Sequence, residues 1–373
     1  MDNVVNSKDG VIQSGKRINY IDAAKGIGII LVCIGHAVTN ASSAMNSTYV
    51  GVIKFIAQFH MPLFFLLSGL VFSERYAQTP FRSTLKKIKA YYIPYVVYNM
   101  IFVILHNPLA HLGFFTDFYS LKDHLRETAM VLSMHVMSIC GAMWFLRALM
   151  LIVIGYIWLG FIINKLVPDR YKEVVRGTIV ILCLLLGMSP ICPKVFGFDV
   201  AMYYASYFYI GILIRKYNLN RFIEKKKWVW ILSGIAINLI IAVISNVGLS
   251  GRTTYKLFLL YGIGAISGSL MIIALSQYKL ICNNRLLSYF GGKSLDIMSL
   301  HFATFKIVSL IIVGVYGLDI RAVSDIPVVF GVTGCWWILY TITGLTVSAG
   351  LRSGFNCVKH VLINFREERH NEK

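Results

Sequence analysis

His36 is the residue of this sequence whose surroundings most directly favour chemistry. It lies within the apolar stretch IDAAKGIGIILVCIGHAVTN (residues 21–40), which has Asp22 and Lys25 at its start. At about 1.5 Å per helical residue, His36 lies roughly 15 Å beyond Gly26, near the midplane of a ~30 Å hydrocarbon core. An imidazole titrates near neutral pH, so His36 can serve as a general base or a nucleophile. The alternative is a structural histidine that hydrogen-bonds to another helix of a bundle.

The helix around His36 has a directional face. On a helical wheel, Asp22, Lys25, Ile29 and His36 fall within about 60° of one another. This face predicts a charged cytoplasmic end (the mouth of the helix), then an apolar surface along the helix, then the imidazole. Close approach by a neighbouring helix or a ligand is allowed by three glycines of the same helix, Gly26, Gly28 and Gly35.

A second histidine lies in the stretch FHMPLFFLLSGLVF (59–72). Pro62 lacks a backbone donor and should kink its helix, which frees a carbonyl near Gln58. His60 precedes this kink near mid-depth, so it either lines the same cavity as His36 or satisfies the kink. Ser68 lies about a turn from the cytoplasmic end of this span.

Two further stretches place polar side chains inside apolar runs. In WFLRAL (144–149), Trp144 lies at the outer interface and Arg147 about a turn deeper, from where its side chain can also extend outward to the interface. In LSYFGGKSLDIMSLH (287–301), Ser294 can cap a helix and His301 follows on the same face. Asp296, Lys306 and Arg147 are the charged groups of these spans, and Lys306 has no role that the sequence indicates.

A basic cluster lies where the third apolar stretch enters the membrane. Arg82, Lys86 and Lys87 belong to this segment, FRSTLKKIKAYYIPY (81–95). Such a cluster anchors a protein on the positive-inside side or binds anionic lipid headgroups. Because it lies beside the mouth of the His36 helix, it would equally suit a ligand rich in phosphate.

The composition is that of a membrane protein. Of the 373 residues, 57% are hydrophobic and only 14% are charged, whereas soluble domains are about a quarter charged. The apolar residues form blocks long enough to span a bilayer as helices, which excludes an outer-membrane barrel of short alternating strands. We therefore predict an all-α polytopic membrane protein with about ten transmembrane helices. Their approximate limits are 26–44, 52–73, 88–107, 143–164, 174–190, 199–215, 228–247, 256–276, 294–315 and 326–349.

The charge distribution gives the orientation of these spans. The net charge is +19, and most of the 36 basic residues fall on alternate loops that become cytoplasmic if both termini are cytoplasmic. Membrane topology thus explains the basic excess, and no nucleic-acid partner is predicted. The seven cysteines lie mostly in apolar runs without ligand spacing, so neither a disulfide framework nor a metal site is expected.

The domain organisation is simple. Residues 1–20 form a polar cytoplasmic tail without the apolar region of a signal peptide, 21–350 form the membrane domain, and 351–373 form a basic cytoplasmic tail. Within that tail, 355–366 has the apolar face of an interfacial helix. Residues 106–142 form a long outer segment, for which a functional loop and a packed re-entrant piece are equal alternatives.

Several of these blocks together resemble the integral-membrane acyltransferase 3 family, which includes O-acetyltransferases of cell-surface polysaccharides. The blocks occur in the family's order and span most of the chain, and the likeness is greatest to its short single-domain branch. They are YIDAAKGIGIILVCIGH (20–36), FHMPLFFLLSGLVF (59–72), LKKIKAYYIPY (85–95), WFLRAL (144–149), YFYIGILI (207–214) and LSYFGGKSLDIMSLH (287–301).

The resemblance implies a membrane-bound O-acyltransferase of the plasma membrane. It implies acetyl-CoA or succinyl-CoA as a cytoplasmic co-substrate, no bound cofactor, and a hydroxyl of a surface glycan or its lipid-linked precursor as acceptor. His36 would be the catalytic histidine, with Lys25 and the basic cluster binding the donor. We also expect support for His36, or acceptor binding, from seven residues: Asp22, His60, Ser68, Trp144, Arg147, Ser294 and His301.

Three points stay open. A transporter or flippase of a polysaccharide intermediate is the alternative function, although few buried carboxylates and no inverted repeat weigh against it. His36 either activates the acceptor or carries the acyl group itself. A homo-oligomer in the bilayer is compatible with the sequence.

Overall fold

The computed structural model describes residues 19–37, 47–244, 258–332, 334–351 and 353. Within these residues the chain is all-α and contains no strand, as predicted. The helices are α1 (Asn19–His36), α2 (Ser47–Ala57), α3 (His60–Leu70), α4 (Pro80–Ile104), α5 (His106–His111), α6 (Leu121–Leu132), α7 (Trp144–Leu166), α8 (Lys172–Met188), α9 (Phe198–Lys216), α10 (Leu219–Lys225), α11 (Lys227–Ile244), α12 (Phe258–Ser276), α13 (Lys279–Cys282), α14 (Arg285–Gly292), α15 (Ser294–Tyr316) and α16 (Trp336–Leu351).

Six helical stretches of the described chain are long and apolar enough to cross a membrane. They are Val50–Leu70, Ser138–Leu166, Val195–Lys216, Lys227–Ile244, Phe258–Ser276 and Ser294–Tyr316. They correspond to the second, fourth, sixth, seventh, eighth and ninth of the predicted spans. The chain is therefore a multi-pass membrane protein.

The other four predicted spans coincide with helices that are shorter or more polar. α8 has 17 residues, and α4 carries its basic cluster in its first half. The last predicted span, 326–349, begins only at Trp336, because a 3₁₀ turn (Ile320–Ser324) and a loop precede α16. The count of ten and the sides of the termini stay predictions. Outside the described residues lie 38–44, 245–247 and 256–257 of the predicted spans, residues 1–18, and the tail helix 355–366.

The second span is broken where Pro62 predicts a kink. α2 ends at Ala57 and α3 begins at His60, so Pro62 lies in the first turn of α3, where a missing N–H costs no helical hydrogen bond. Gln58, fully buried in the break, donates from Nε2 to the carbonyl oxygens of Lys54 and Asn238 (3.1 and 2.9 Å).

Two helix pairs touch backbone to backbone at reciprocal glycines. A Cβ on Gly26 of α1 would overlap the carbonyl oxygen of Leu287 in α14, and one on Gly291 of α14 would overlap that of Asp22. Between α3 and α9, Gly69 and Gly211 make the same kind of contact. Glycine is needed at these positions because any side chain would separate the helices.

A charged cluster joins the N-terminal part of α8 and the C-terminal end of α9 to the turn after α3. The side chain of Arg176, 7% exposed, contacts the carboxylates of Glu74 (3.0 Å) and Glu173 (2.9 Å), and Lys216 also pairs with Glu173 (2.6 Å). Arg176 and Lys216 are two of the basic residues that the charge pattern assigns to inner loops.

Lys306 has a structural position. It is fully buried in α15, and its Nζ donates to the carbonyl oxygens of Val323 (2.7 Å) and Asp325 (2.5 Å). A buried ammonium is costly unless it is hydrogen-bonded, and these carbonyls supply that compensation. Lys306 therefore fastens the 3₁₀ turn before α16 onto α15.

Candidate active site

The structure brings His36 and His301 into direct contact. Nδ1 of His36 and Nε2 of His301 lie 2.9 Å apart, a normal hydrogen-bond distance between residues 265 positions apart in the chain. The two rings are nearly coplanar, at 13°, with centroids 5.2 Å apart. The hydrogen bond thus lies close to the plane of both rings, which is the direction of the nitrogen lone pair.

The partners of His301 determine which nitrogens carry protons. Its Nδ1 lies 2.9 Å from the carbonyl oxygen of Ile297, which can only accept, so Nδ1 of His301 holds a proton. His301 has no exposed surface and makes no ion pair within the described chain, which favours the neutral ring. Its Nε2 is then an acceptor, and Nδ1 of His36 must be the donor.

This arrangement leaves Nε2 of His36 with a free lone pair. A neutral imidazole protonated on Nδ1 presents an unprotonated Nε2, which can accept a proton or attack an acyl carbon. The second histidine holds the first in that tautomer and orientation, as the third group of a catalytic triad does for its base.

The ring of Phe302 covers one side of His36, whereas the described residues leave space beside Gly35 of the same helical turn. Phe302 stands edge-on to His36, with ring centroids 4.9 Å apart, and edge-on to His301 at 4.7 Å. Gly35 is buried, yet no atom of the described residues lies within 4 Å of where its Cβ would be. Unlike Gly26 and Gly28, Gly35 therefore meets no neighbouring helix among the described residues, which leave space beside this turn of α1.

His60 is buried near the pair without bonding to it. It is 3% exposed, and its Nδ1 donates to the carbonyl oxygen of Ile56 at 3.0 Å, across the break between α2 and α3. Of the two predicted roles, this bond fulfils the one of satisfying the kink. His60 also lies within electrostatic range of His36, so a place at the edge of the same cavity stays a prediction.

The other residues predicted to support His36 lie apart from it. Ser68 donates to the Phe64 carbonyl oxygen within its own helix (2.7 Å), and Trp144 packs in the core with its ring centroid 5.6 Å from that of Tyr204. Ser294 begins α15 without making a side-chain cap. Asp22 is half-buried where α1 meets α14.

The basic cluster of α4 divides into two kinds of side chain. Arg82 and Lys86 are exposed, whereas Nζ of Lys87 lies 4.4 Å from the ring centroid of Tyr76 and 5.8 Å from that of Tyr91. Lys25, the other predicted donor-binding residue, is half-buried in the N-terminal half of α1. Arg82 and Lys86 are therefore the members of the cluster most accessible to an anionic ligand.

The outer segment keeps its histidines away from His36. His106 is 1% exposed, and its ring stacks on those of Phe115 and Tyr119. Burial lowers the pKa of His106, which favours the neutral ring in this stack. The end of the segment, the 3₁₀ turn Ser138–Met143, packs into the core against α15, in agreement with the re-entrant alternative.

Sequence reasoning missed two parts of this site. Phe302 adjoins His301 in the chain, but an aromatic residue in an apolar run carries no signal of its own. Tyr98 donates to Asp296 (2.5 Å), which fixes the carboxylate of α15 against α4. Among the described residues, no group of three or more His, Cys, Asp or Glu side chains could hold a metal ion.

Comparison with known proteins assigns the family. No curated protein and no solved structure gives a significant match to the chain. A family model described as an acyltransferase domain matches residues 18–352, which include α1 with His36 and α15 with His301. The chain belongs to the acyltransferase 3 family and is an acyltransferase.

Proposed function

We propose that the protein is an acyl-CoA-dependent O-acyltransferase of the plasma membrane that acylates a surface glycan or its lipid-linked precursor. The observation that carries the proposal is the hydrogen bond between His36 and His301, because it leaves a basic nitrogen on an imidazole that is only half-buried. The family match supports acyl transfer in general, and the site supports the choice of a hydroxyl acceptor, which needs a base.

The donor would enter from the cytoplasmic side. The phosphates of acyl-CoA would contact Arg82 and Lys86, which are exposed, with Lys87 and Lys25 nearby. Arginine and lysine bind phosphate by charge-assisted hydrogen bonds, which suits this part of the protein. The pantetheine arm would then follow the apolar face of α1 toward His36.

In the first route for acyl transfer, His36 acts as a general base. Nε2 of His36 takes the proton of the acceptor hydroxyl while the hydroxyl oxygen attacks the thioester carbonyl carbon. The tetrahedral intermediate collapses, the C–S bond breaks, and the imidazolium returns its proton to the CoA thiolate. The products are the O-acyl ester and free CoA. In the second route, Nε2 attacks the thioester carbonyl carbon, the C–S bond breaks and CoA leaves as its thiolate. The acceptor hydroxyl then attacks the acyl-imidazolium, the N–C bond breaks, and the hydroxyl proton passes to the CoA thiolate.

Purified protein in liposomes tests the proposal. Labelled acetyl-CoA or succinyl-CoA is supplied together with a glycan extract from the host's surface, and the glycan is then analysed for covalent label. Label on the glycan, released by mild base as an ester, is the expected result. Glycan that crosses the bilayer without modification would instead support a carrier, and the proposed function would be abandoned.

The role of His301 predicts a graded response to substitution. In His301→Leu, His36 loses the acceptor for its Nδ1 proton, and we expect kcat to fall about 100-fold with KM for acyl-CoA within about twofold. In His301→Gln, the side-chain amide oxygen can replace that acceptor, so kcat should be about tenfold higher than in His301→Leu. The measurement is the steady-state kinetics of both variants, and the comparison is made only if their Tm values agree. Equal loss in the two variants would indicate a packing role instead.

A further inference from the structure

A second polar feature of the membrane domain has no part in the acyl-transfer step. The guanidinium of Arg147 lies over Gly197, where a Cβ would come within 2.7 Å of Nη2 and 2.9 Å of Nε. Its Nη1 donates to the carbonyl oxygen of Met134 at 2.9 Å. The Nε–H is buried and has no acceptor. Asp199 lies within electrostatic range of Arg147, yet this donor is left unsatisfied.

Tyr95 presents a second unsatisfied donor at the same depth. Asn99 of α4 contacts Met143 at the start of α7, with Nδ2 and Sδ 3.4 Å apart. Tyr95 and Arg147 each lie one turn further along these helices toward the cytoplasm, so they face each other across the same interface. Tyr95 is 2% exposed, and its hydroxyl has no hydrogen-bond partner. The positive charge of Arg147 lies within electrostatic range of this hydroxyl.

Two buried donors without an acceptor lie at one interface here. Buried polar groups are hydrogen-bonded in the great majority of cases, so a partner for both donors would be stabilising. An oxygen atom with a negative charge would accept from both Nε of Arg147 and the hydroxyl of Tyr95, and it would pair with the guanidinium. The chemistry of the missing partner is therefore that of a carboxylate or a phosphate.

This feature connects to His36 through a short path. The 3₁₀ turn Ser138–Met143 leads directly into α7, and Gly141 in it lies against the ring of Phe302. Phe302 is the wall of the His36 site. Arg147 lies six residues beyond Gly141, roughly 9 Å of helix, a distance that a short oligosaccharide bridges.

We propose that Arg147 and Tyr95 form a subsite for an anionic group of the acceptor glycan, either a carboxylate or a phosphate. The proposal rests on the proposed function and specifies its acceptor class. An acidic glycan would place its charged group on Arg147 and its reacting hydroxyl beside His36. A neutral glycan would leave both donors unsatisfied and would bind more weakly.

Three simple acceptors test the charge preference. The methyl glycoside of cellobiouronic acid carries a carboxylate on its second ring, methyl cellobioside 6′-phosphate carries a phosphate there, and methyl cellobioside is neutral. With labelled acetyl-CoA and protein in liposomes, we expect kcat/KM for at least one anionic acceptor to exceed that for the neutral one by about tenfold or more. The stronger of the two anionic acceptors identifies which group the subsite takes. Equal use of all three acceptors would overturn the subsite.

Tyr95→Phe is the decisive variant, because it removes one hydroxyl that has no partner in the protein. Its Tm should be unchanged, and its preference for the anionic acceptor should fall about tenfold. Arg147→Gln should abolish the preference. Tyr156→Phe is the matched control, since its hydroxyl is also buried and unpaired but lies on the cytoplasmic half of α7. An unchanged preference in Tyr95→Phe would overturn the two-residue subsite even if Arg147→Gln failed to fold.

A binding measurement separates this inference from the proposed function. Methyl cellobiouronide or methyl cellobioside 6′-phosphate should raise the Tm of the detergent-solubilised wild type, and neither should raise that of Tyr95→Phe. If this shift occurs but no acceptor is acylated, the subsite stands and the proposed function fails. If acylation occurs without charge preference or Tm shift, the proposed function stands and the subsite fails.

Discussion

His36→Ala should abolish acyl transfer while the protein still folds and inserts. General base catalysis contributes about 10²–10⁴-fold, and no neighbouring side chain of the described site stands in the place of Nε2 of His36, because the nearest basic nitrogen, Nε2 of His301, faces the opposite, Nδ1 side of the His36 ring. We therefore expect a loss of at least about 10³-fold in kcat. The measurement is transfer of labelled acyl groups in liposomes, with Tm and membrane yield as checks of folding.

His135→Ala is the matched control for this variant. His135 is an exposed histidine of the outer segment and lies outside the site. Its replacement should leave kcat within about twofold of the wild type. If His36→Ala kept full activity at normal yield, His36 would be neither base nor acyl carrier, and the proposed mechanism would be wrong.

Gly291→Ala should have the largest effect on stability of any single methyl group added near the site. The new Cβ would overlap the carbonyl oxygen of Asp22, so α1 and α14 would have to separate. Overpacking of this kind costs about 1–3 kcal/mol, and the displacement of α1 would also move His36 away from His301. We expect a Tm lowered by several degrees and a kcat reduced by more than about tenfold, both measured on purified protein.

A helical glycine in open space provides the comparison. Gly155 of α7 is exposed, and no atom of the described residues lies within 4 Å of where its Cβ would be. Gly155→Ala should therefore leave kcat unchanged and hold or raise the Tm, because alanine favours helix over glycine by about 1 kcal/mol. The same fall in Tm for Gly155→Ala and Gly291→Ala would show that the close helix contact is unimportant.

The sequence predicted the parts of the fold that depend on local pattern. The all-α class followed from apolar block lengths, and the break near Pro62 followed from its missing N–H. The family followed from motifs that include His36 and His301. Span limits were less accurate where a loop is itself apolar, as in IPVVFGVTGC (326–335), so α16 begins ten residues later than expected.

The geometry of the site depends on contacts that a sequence does not display. The pairing of His36 with His301 joins residues 265 positions apart, so its distance and proton order required the fold. Gly35 differs from Gly26 only in what the tertiary structure places beside it. Tyr95 gave no signal at all, because a tyrosine in an apolar helix is ordinary until its hydroxyl is found without a partner.

The reciprocal contact between α1 and α14 has a consequence for the distance between the two imidazoles. His36 lies ten residues after Gly26, and His301 lies ten residues after Gly291. The contact between Gly26 and Gly291 is a shared starting point for both rings, reached through one continuous helix for His36 and across the break between α14 and α15 for His301. A change in chain length on one side of this contact therefore moves only one of the two rings. Inserting one residue between Gly26 and His36 would move the His36 ring by about 1.5 Å along α1 and turn it by about 100°, away from His301.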